Sequence, residues 1–215
     1  MMNLFNQSEF LALALVHFFI VVSPGPDFAV TLRQSIYHGR KAGLMTALGI
    51  GAGISVHVVY TLAGVTALMQ ATPWLMDTAK YIGAAYLIWL GIQFLRSKGA
   101  NATITPDTPE SPDTAPAQTA GKAFWMGFLT NATNPKAMLF FLAMFTTLVS
   151  PSTPVMVKLF YGVWMCGVNA AWFMAVSVLF SHQRIRERFL AHCRLFDNVI
   201  GTVLLLFAGR LLLAV

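Results

Sequence analysis

Long apolar runs alternate along the chain with short polar connections that are mostly basic. Six runs stand out, at residues 10–30, 42–68, 73–95, 123–148, 155–180 and 196–215. At about 20 residues per crossing, six spans and their connections nearly use up the 215 residues. The pattern predicts an all-α membrane protein with six transmembrane helices. Two of the runs are interrupted. Ser23-Pro24-Gly25-Pro26-Asp27 breaks the first, and Asn131-Ala132-Thr133-Asn134-Pro135-Lys136 breaks the fourth. Non-helical backbone and charge at membrane depth are tolerated only inside protein or beside a water-filled cavity.

The interruptions occupy matching places in two similar halves. Pro26-Asp27 corresponds to Pro135-Lys136, and Ile82-Gly83 with Gly91 corresponds to Ile200-Gly201 with Gly209. Residues 1–98 form the first three-helix repeat and 122–215 the second, with the first helix of each repeat broken. A repeat with an odd number of spans must insert its second copy upside down, so the expectation is an inverted repeat about an axis in the membrane plane. Between the halves, 99–121 carries Pro106, Pro109, Pro112 and Pro116 together with Asp107, Glu110 and Asp113. Such composition cannot bury a core and is expected to be a disordered cytoplasmic linker.

Composition sharpens this picture. Hydrophobic residues make up 57% of the chain and charged residues 10%, against about 25% charged in a soluble domain. The net charge of +6 does not imply nucleic acid, because the basic residues are spread among short connections. Arg33, Arg40, Lys41, Arg96, Lys98, Lys122, Arg184, Arg186, Arg188 and Arg194 all fall on one side, ten of the fourteen Lys and Arg. Only Lys80 and Lys158 fall on the other, so both termini are expected outside. Residues 1–10 contain Glu9 and no basic residue, unlike a signal peptide. Cys166 and Cys193 are too few and too separated for a disulfide framework.

Chemistry concentrates at the breaks. Pro24 and Pro26 lack an amide hydrogen, so the first helix is expected to stop near Ser23 and restart with Pro26 at its first position. Asp27 then sits where the helix dipole favours an anion. Asn134 is a good N-cap ahead of Pro135, but Lys136 opposes the dipole and needs an anion nearby. A charge at the midplane costs about 2.5–3.5 kcal/mol, which pairing of Asp27 with Lys136, directly or through substrate, offsets. A zwitterion has the complementary shape: its carboxylate rests on exposed amides and Lys136, its ammonium on Asp27. An Asp27 that takes up a proton when substrate leaves is also the candidate for proton coupling. The candidate substrate-binding set is Ser23, Gly25, Asp27, Asn131, Asn134 and Lys136, joined by His57 and Tyr60 on the second span and Asn169 on the fifth. A permanent structural ion pair locking the halves together is the plainer alternative.

Other polar positions divide between further candidates to line the cavity, Thr31 and Gln34 among them, and structural ones. Thr31 and Gln34 share a helix face with Asp27, and Gly49, Gly53 and Gly64 lie on the stripe of His57 and Tyr60. His17 reads as a packing residue, Arg210 as a snorkelling side chain, and Trp74, Trp89 and Trp125 as interfacial anchors. Gly49-Ile50-Gly51-Ala52-Gly53 lies inside an apolar span and follows no strand, so it is no nucleotide loop. Ser55 and His57 point to nearly opposite sides of one helix and form no catalytic dyad. No metal cluster or cofactor motif is evident.

Ser23-Pro24-Gly25-Pro26-Asp27-Phe28, the Gly-rich second span, Gly83 through Gly91, and Gly127 through Asn131 continuing to Asn134-Pro135-Lys136-Ala137 together resemble the LysE/RhtB amino-acid exporters. The likeness covers nearly the whole chain outside the linker, and the Asp after Ser-Pro-Gly-Pro is most similar to the threonine-efflux branch. The resemblance implies export of threonine, homoserine or related small neutral amino acids across a bacterial inner membrane, driven by the proton-motive force. The implied partners are a small amino acid, protons and the lipid bilayer; a homo-oligomer is left open. The competing readings are an exporter of another small solute or cation, such as a basic amino acid or divalent metal, and a membrane-embedded enzyme.

Overall fold

A computed structural model describes residues 6–71, 73–97, 118–180 and 182–212. The described residues form eight helices and no strand. They are α1 (Gln7–Val22), α2 (Pro26–Tyr37), α3 (Gly39–Ala71), α4 (Pro73–Arg96), α5 (Ala120–Ala132), α6 (Pro135–Thr147), α7 (Val155–Leu179) and α8 (Gln183–Leu212). The all-α reading holds. The linker expected at 99–121 lies outside the described residues as far as 117. The side chains of Cys193 and Arg210 lie outside them too.

Local chemistry sets the helix ends. Asn6 caps α1 by accepting from the Ser8 and Glu9 amides. Glu9 in turn accepts from Ser150 N at 2.9 Å and Thr153 Oγ1 at 3.0 Å, which ties the start of α1 to the turn before α7. α1 stops at Ser23, and α2 restarts with Pro26 in its first turn, bent from α1 by 51°. Gly39, at φ +81, takes the left-handed turn between α2 and α3 that a side chain would resist. At the second break Asn134 caps α6 and Pro135 occupies its first position.

By length and apolarity, α3 over Gly39–Gly64 and α7 qualify as membrane-crossing helices. The bent α1–α2 pair counts as a third, and Pro135–Thr147 is a shorter apolar helix. Large apolar side chains point outward, such as Leu11, Val59, Val163 and Leu206, each at least 65% exposed. A soluble surface does not present such a belt; a lipid-facing one does. Trp74, Trp89 and Trp125 are also exposed.

One boundary differs from expectation. Arg184 to Arg194, read as a connection between spans five and six, belongs to the α8 helix. Arg, Leu and Glu are strong helix formers, so the helix continues past the point where apolarity ends. Arg33 similarly lies in α2, and Arg40 and Lys41 lie in the first turn of α3.

α3 is the central helix, packed on α5 and α7, while α4 packs on α8 and α6. The α3–α5 contact is backbone on backbone. A Cβ on Gly49 would lie 2.0 Å from the Phe124 carbonyl oxygen, and one on Gly127 would lie 2.1 Å from that of Thr46. This is small-residue packing of the kind membrane helices use, and it sets α5 with its terminal break against the middle of α3.

Candidate functional site

Both breaks open onto one cavity. Its volume is about 40 Å³. Of the residues singled out in the sequence, Ser23, Gly25, Asp27, Asn131, Asn134, Lys136 and Asn169 line it. Ile54, Phe140, Phe141 and Phe173 supply apolar wall.

The polar side chains reach across from one break to the other. Asp27 Oδ2 accepts from Asn131 Nδ2 at 2.9 Å and from Asn134 Nδ2 at 3.4 Å. The Lys136 ammonium donates to Ser23 Oγ, and Ser23 donates onward to the Ile20 carbonyl at the end of α1. Lys136 Nζ also lies 4.9 Å from the centre of the Phe94 ring, a cation–π contact. A Cβ on Gly25 would sit 3.6 Å from the same ammonium. Each charge is thus held by neutral groups of the opposite break. Among the described residues, Asp27 and Lys136 form no direct ion pair.

Two acceptors in this arrangement are left over. Asp27 Oδ1 and Asn131 Oδ1 are buried and have no hydrogen-bond partner among the described residues. Buried polar atoms are normally satisfied, and an unsatisfied carboxylate oxygen is more costly than a neutral one. Asn131 Oδ1 lies beside Gly53 of α3, whereas an unfilled carboxylate oxygen on Asp27, a cavity-lining residue, suits a ligand with N–H donors. The Lys136 ammonium on the facing wall suits an anionic group.

His57 and Tyr60 lie behind this site and do not line the cavity. His57 Nε2 is 2.9 Å from the Asn131 carbonyl, and its ring stacks on Phe141 at 5.5 Å. Tyr60 donates to the Met138 carbonyl at 2.9 Å, while His57 Nδ1 lies 3.1 Å from the Tyr60 hydroxyl. Proton counting constrains the trio. A carbonyl only accepts, so Nε2 must carry a hydrogen. The single Tyr60 hydrogen then goes either to Met138 or to Nδ1, unless His57 carries both ring protons. Tyr86 donates to the Lys136 carbonyl from α4 at 3.3 Å. Thr31 bonds the Asp27 carbonyl, and Gln34 reaches Met126 Sδ, so neither lines this cavity.

One polar lining residue was read otherwise in the sequence: His17, fully enclosed at 1% exposure. Its spacing held a signal. His17, Ile20 and Val21 fall at i, i+3 and i+4 on the face of α1 that runs into Ser23, and all three line the cavity.

A sequence profile for the family described as LysE type translocator matches residues 18–215. The chain is 29% identical over 202 residues to the threonine efflux protein of Escherichia coli (strain K12), covering 93% of this chain and 94% of that one. It is 30% identical over 200 residues to the threonine efflux protein of Salmonella typhi, covering 93% and 94%. To the leucine efflux protein of Enterobacter sp. (strain 638) it is 30% identical over 211 residues, covering 96% of each. No solved structure matches the chain.

Proposed function

The chain belongs to the LysE type translocator family, a transporter and not an enzyme, and on that premise we propose that it exports a small neutral amino acid of the threonine or homoserine kind. The observation that carries this reading is the cavity in which Asp27 and Lys136 face one another from the two breaks, each with capacity to spare. The substrate ammonium takes Asp27, whose Oδ1 is unused, with Asn131 and Asn134 holding the carboxylate in place. The carboxylate takes Lys136, displacing Ser23, and the amides exposed around Gly25. Charge-assisted hydrogen bonds of this kind are the strong ones. Inside protein they replace the solvation an amino acid gives up on leaving water.

The architecture in this reading is six spans in two inverted repeats, 1–98 and 122–215, joined by the 99–121 linker. α1–α2 and α5–α6 each count as one broken span. Contacts of α3 with α7 and of α4 with α8 across the halves support it. Alternating access turns the cavity to either face of a bacterial inner membrane, with both termini outside. Export runs as proton antiport, with Asp27 protonated when the substrate has left and ionised when an ammonium arrives. Resemblance to threonine and leucine efflux proteins supports the amino-acid class.

Counterflow in proteoliposomes with a panel of labelled amino acids tests this. Threonine, homoserine or a close neighbour is expected to exchange, faster under an opposing pH gradient. Lys136→Gln is expected to raise the concentration needed for half-maximal exchange at least tenfold. Exchange of none of the panel refutes the substrate class, and unchanged affinity in Lys136→Gln refutes the carboxylate site.

A further inference from the structure

His17 and Asn169 face each other in the cavity, from α1 and α7 respectively, and both are almost fully buried. The Asn169 amide nitrogen lies 2.9 Å from His17 Nε2 and 3.0 Å from the Met165 carbonyl oxygen. Met165 fixes which way the amide points, because a flipped amide would set two carbonyl oxygens against each other. The amide nitrogen therefore donates to both partners. His17 Nε2 must accept, and in a neutral imidazole an accepting Nε2 places the ring proton on Nδ1. Nδ1 is buried and has no hydrogen-bond partner among the described residues. Its aromatic neighbours, Phe141 at 6.2 Å and Trp164 at 5.7 Å between ring centres, offer faces and edges but no strong acceptor. An N–H donor is thus held ready beside the cavity with nothing to receive it.

We propose that His17 is a specificity-determining residue whose Nδ1–H donates to a side-chain hydroxyl of the exported amino acid, with Asn169 as the positioning residue that fixes the tautomer. This rests on the amino-acid reading given above and adds the group that reads the side chain. The distances suit a short side chain. His17 lies six residues before Ser23, about 9 Å along α1 at 1.5 Å per residue. One small amino acid thus lies within reach of both ends, its carboxylate at the Lys136 end and its side chain at the His17 end. The remaining wall at this end is apolar, Ile20, Val21 and Phe173, so a methyl group beside the hydroxyl is accommodated. A site that keeps a buried donor for a hydroxyl discriminates strongly against an isostere without one, because the donor then stays unpaired.

Threonine and valine differ by hydroxyl against methyl at nearly constant shape, so the ratio of their exchange efficiencies in proteoliposomes is the readout. The unaltered protein is expected to prefer threonine at least tenfold. His17→Leu is expected to bring the ratio near one by lowering threonine exchange while valine exchange persists. Asn169→Leu, which leaves His17 in place but frees its tautomer, is expected to lower the ratio several-fold. His17→Gln, which keeps an N–H donor, is expected to recover part of the preference if His17→Leu fails to insert. A threonine-to-valine ratio unchanged in His17→Leu overturns the proposal, as does a ratio near one in His17→Gln where His17→Leu fails to insert. A protein that exchanges amino acids without telling threonine from valine overturns it too, while leaving the export reading standing. A protein that exchanges no amino acid overturns the export reading first.

Discussion

At the second break, between α5 and α6, the backbone is held from several directions. Asn134 caps α6 by accepting from the Lys136 amide at 3.0 Å, and its own amide bonds the Asn131 carbonyl at 2.9 Å. His57, Tyr60 and Tyr86 then brace the carbonyls of Asn131, Met138 and Lys136 from α3 and α4. At the first break α2 begins at Pro26, and Gly25 ahead of it provides no side-chain cap. Beyond the Ser23 bond to the Ile20 carbonyl, its side-chain contacts reach over to the second break, Ser23 to Lys136 and Asp27 to Asn131 and Asn134. One break is a framework and the other leans on it. One of the contacts that hold the leaning break, Ser23 to Lys136, is also the one a zwitterion displaces in the proposed reading. In that reading substrate arrival loosens α1–α2 from α5–α6, and the first break is where motion between inward and outward states would begin.

The most severe way to test this is to remove the charge that links the two breaks. Asp27→Asn keeps the shape and can still pair with Asn131, so insertion and expression are expected to persist. The ammonium loses its counter-charge, and Lys136 keeps only Asp197 of α8 as an anionic neighbour. Efflux driven by a pH gradient is expected to fall at least a hundredfold, which corresponds to about 2.7 kcal/mol or more of lost stabilisation. Normal efflux at full expression would remove Asp27 from both binding and coupling.

Much of this asymmetry could be read from residue types, and part could not. Proline and glycine mark both breaks wherever the chain is otherwise apolar, and Asn134 ahead of Pro135 announces a capped restart. Polar groups inside apolar runs pointed to the cavity because burying them requires a partner or water. The roles of His57 and His17 were not legible, since one histidine in an apolar helix looks like another. What separates them is a tertiary partner: the Asn131 carbonyl turns His57 into a brace, and the Asn169 amide leaves His17 with an unused donor. The start of α8 was missed for a different reason. Hydropathy marks where lipid begins, whereas helix propensity carries the α8 backbone through Arg184, Arg188 and Arg194.

A milder pair of changes sharpens the contrast between framework and hinge. Asn134→Ala deletes an N-cap, a loss of about 1 kcal/mol, and also one contact to Asp27. The thermal midpoint in detergent is expected to fall by several degrees. Gly25→Ala acts on the other break, where φ is −169 and the new Cβ meets only the Lys136 ammonium at an ordinary 3.6 Å. Its midpoint is expected to stay level or rise slightly, because alanine narrows the unfolded ensemble. Its turnover is expected to fall several-fold, because the same stiffening acts on the moving break. A Gly25→Ala protein that is both less stable and equally fast would reverse the assignment.

The smallest effect is expected at Tyr60, and it separates bracing from binding. Tyr60→Phe removes one hydroxyl, leaving the Met138 carbonyl and His57 Nδ1 each short of a partner. A hydrogen bond of this kind is worth about 1 kcal/mol, so a modest loss of thermal stability is expected. Substrate affinity measured by counterflow should change less than twofold, because Tyr60 does not line the cavity. A tenfold loss of threonine affinity at unchanged stability would move Tyr60 into the substrate site. The second break would then be part of what moves and no longer the frame against which the first one turns.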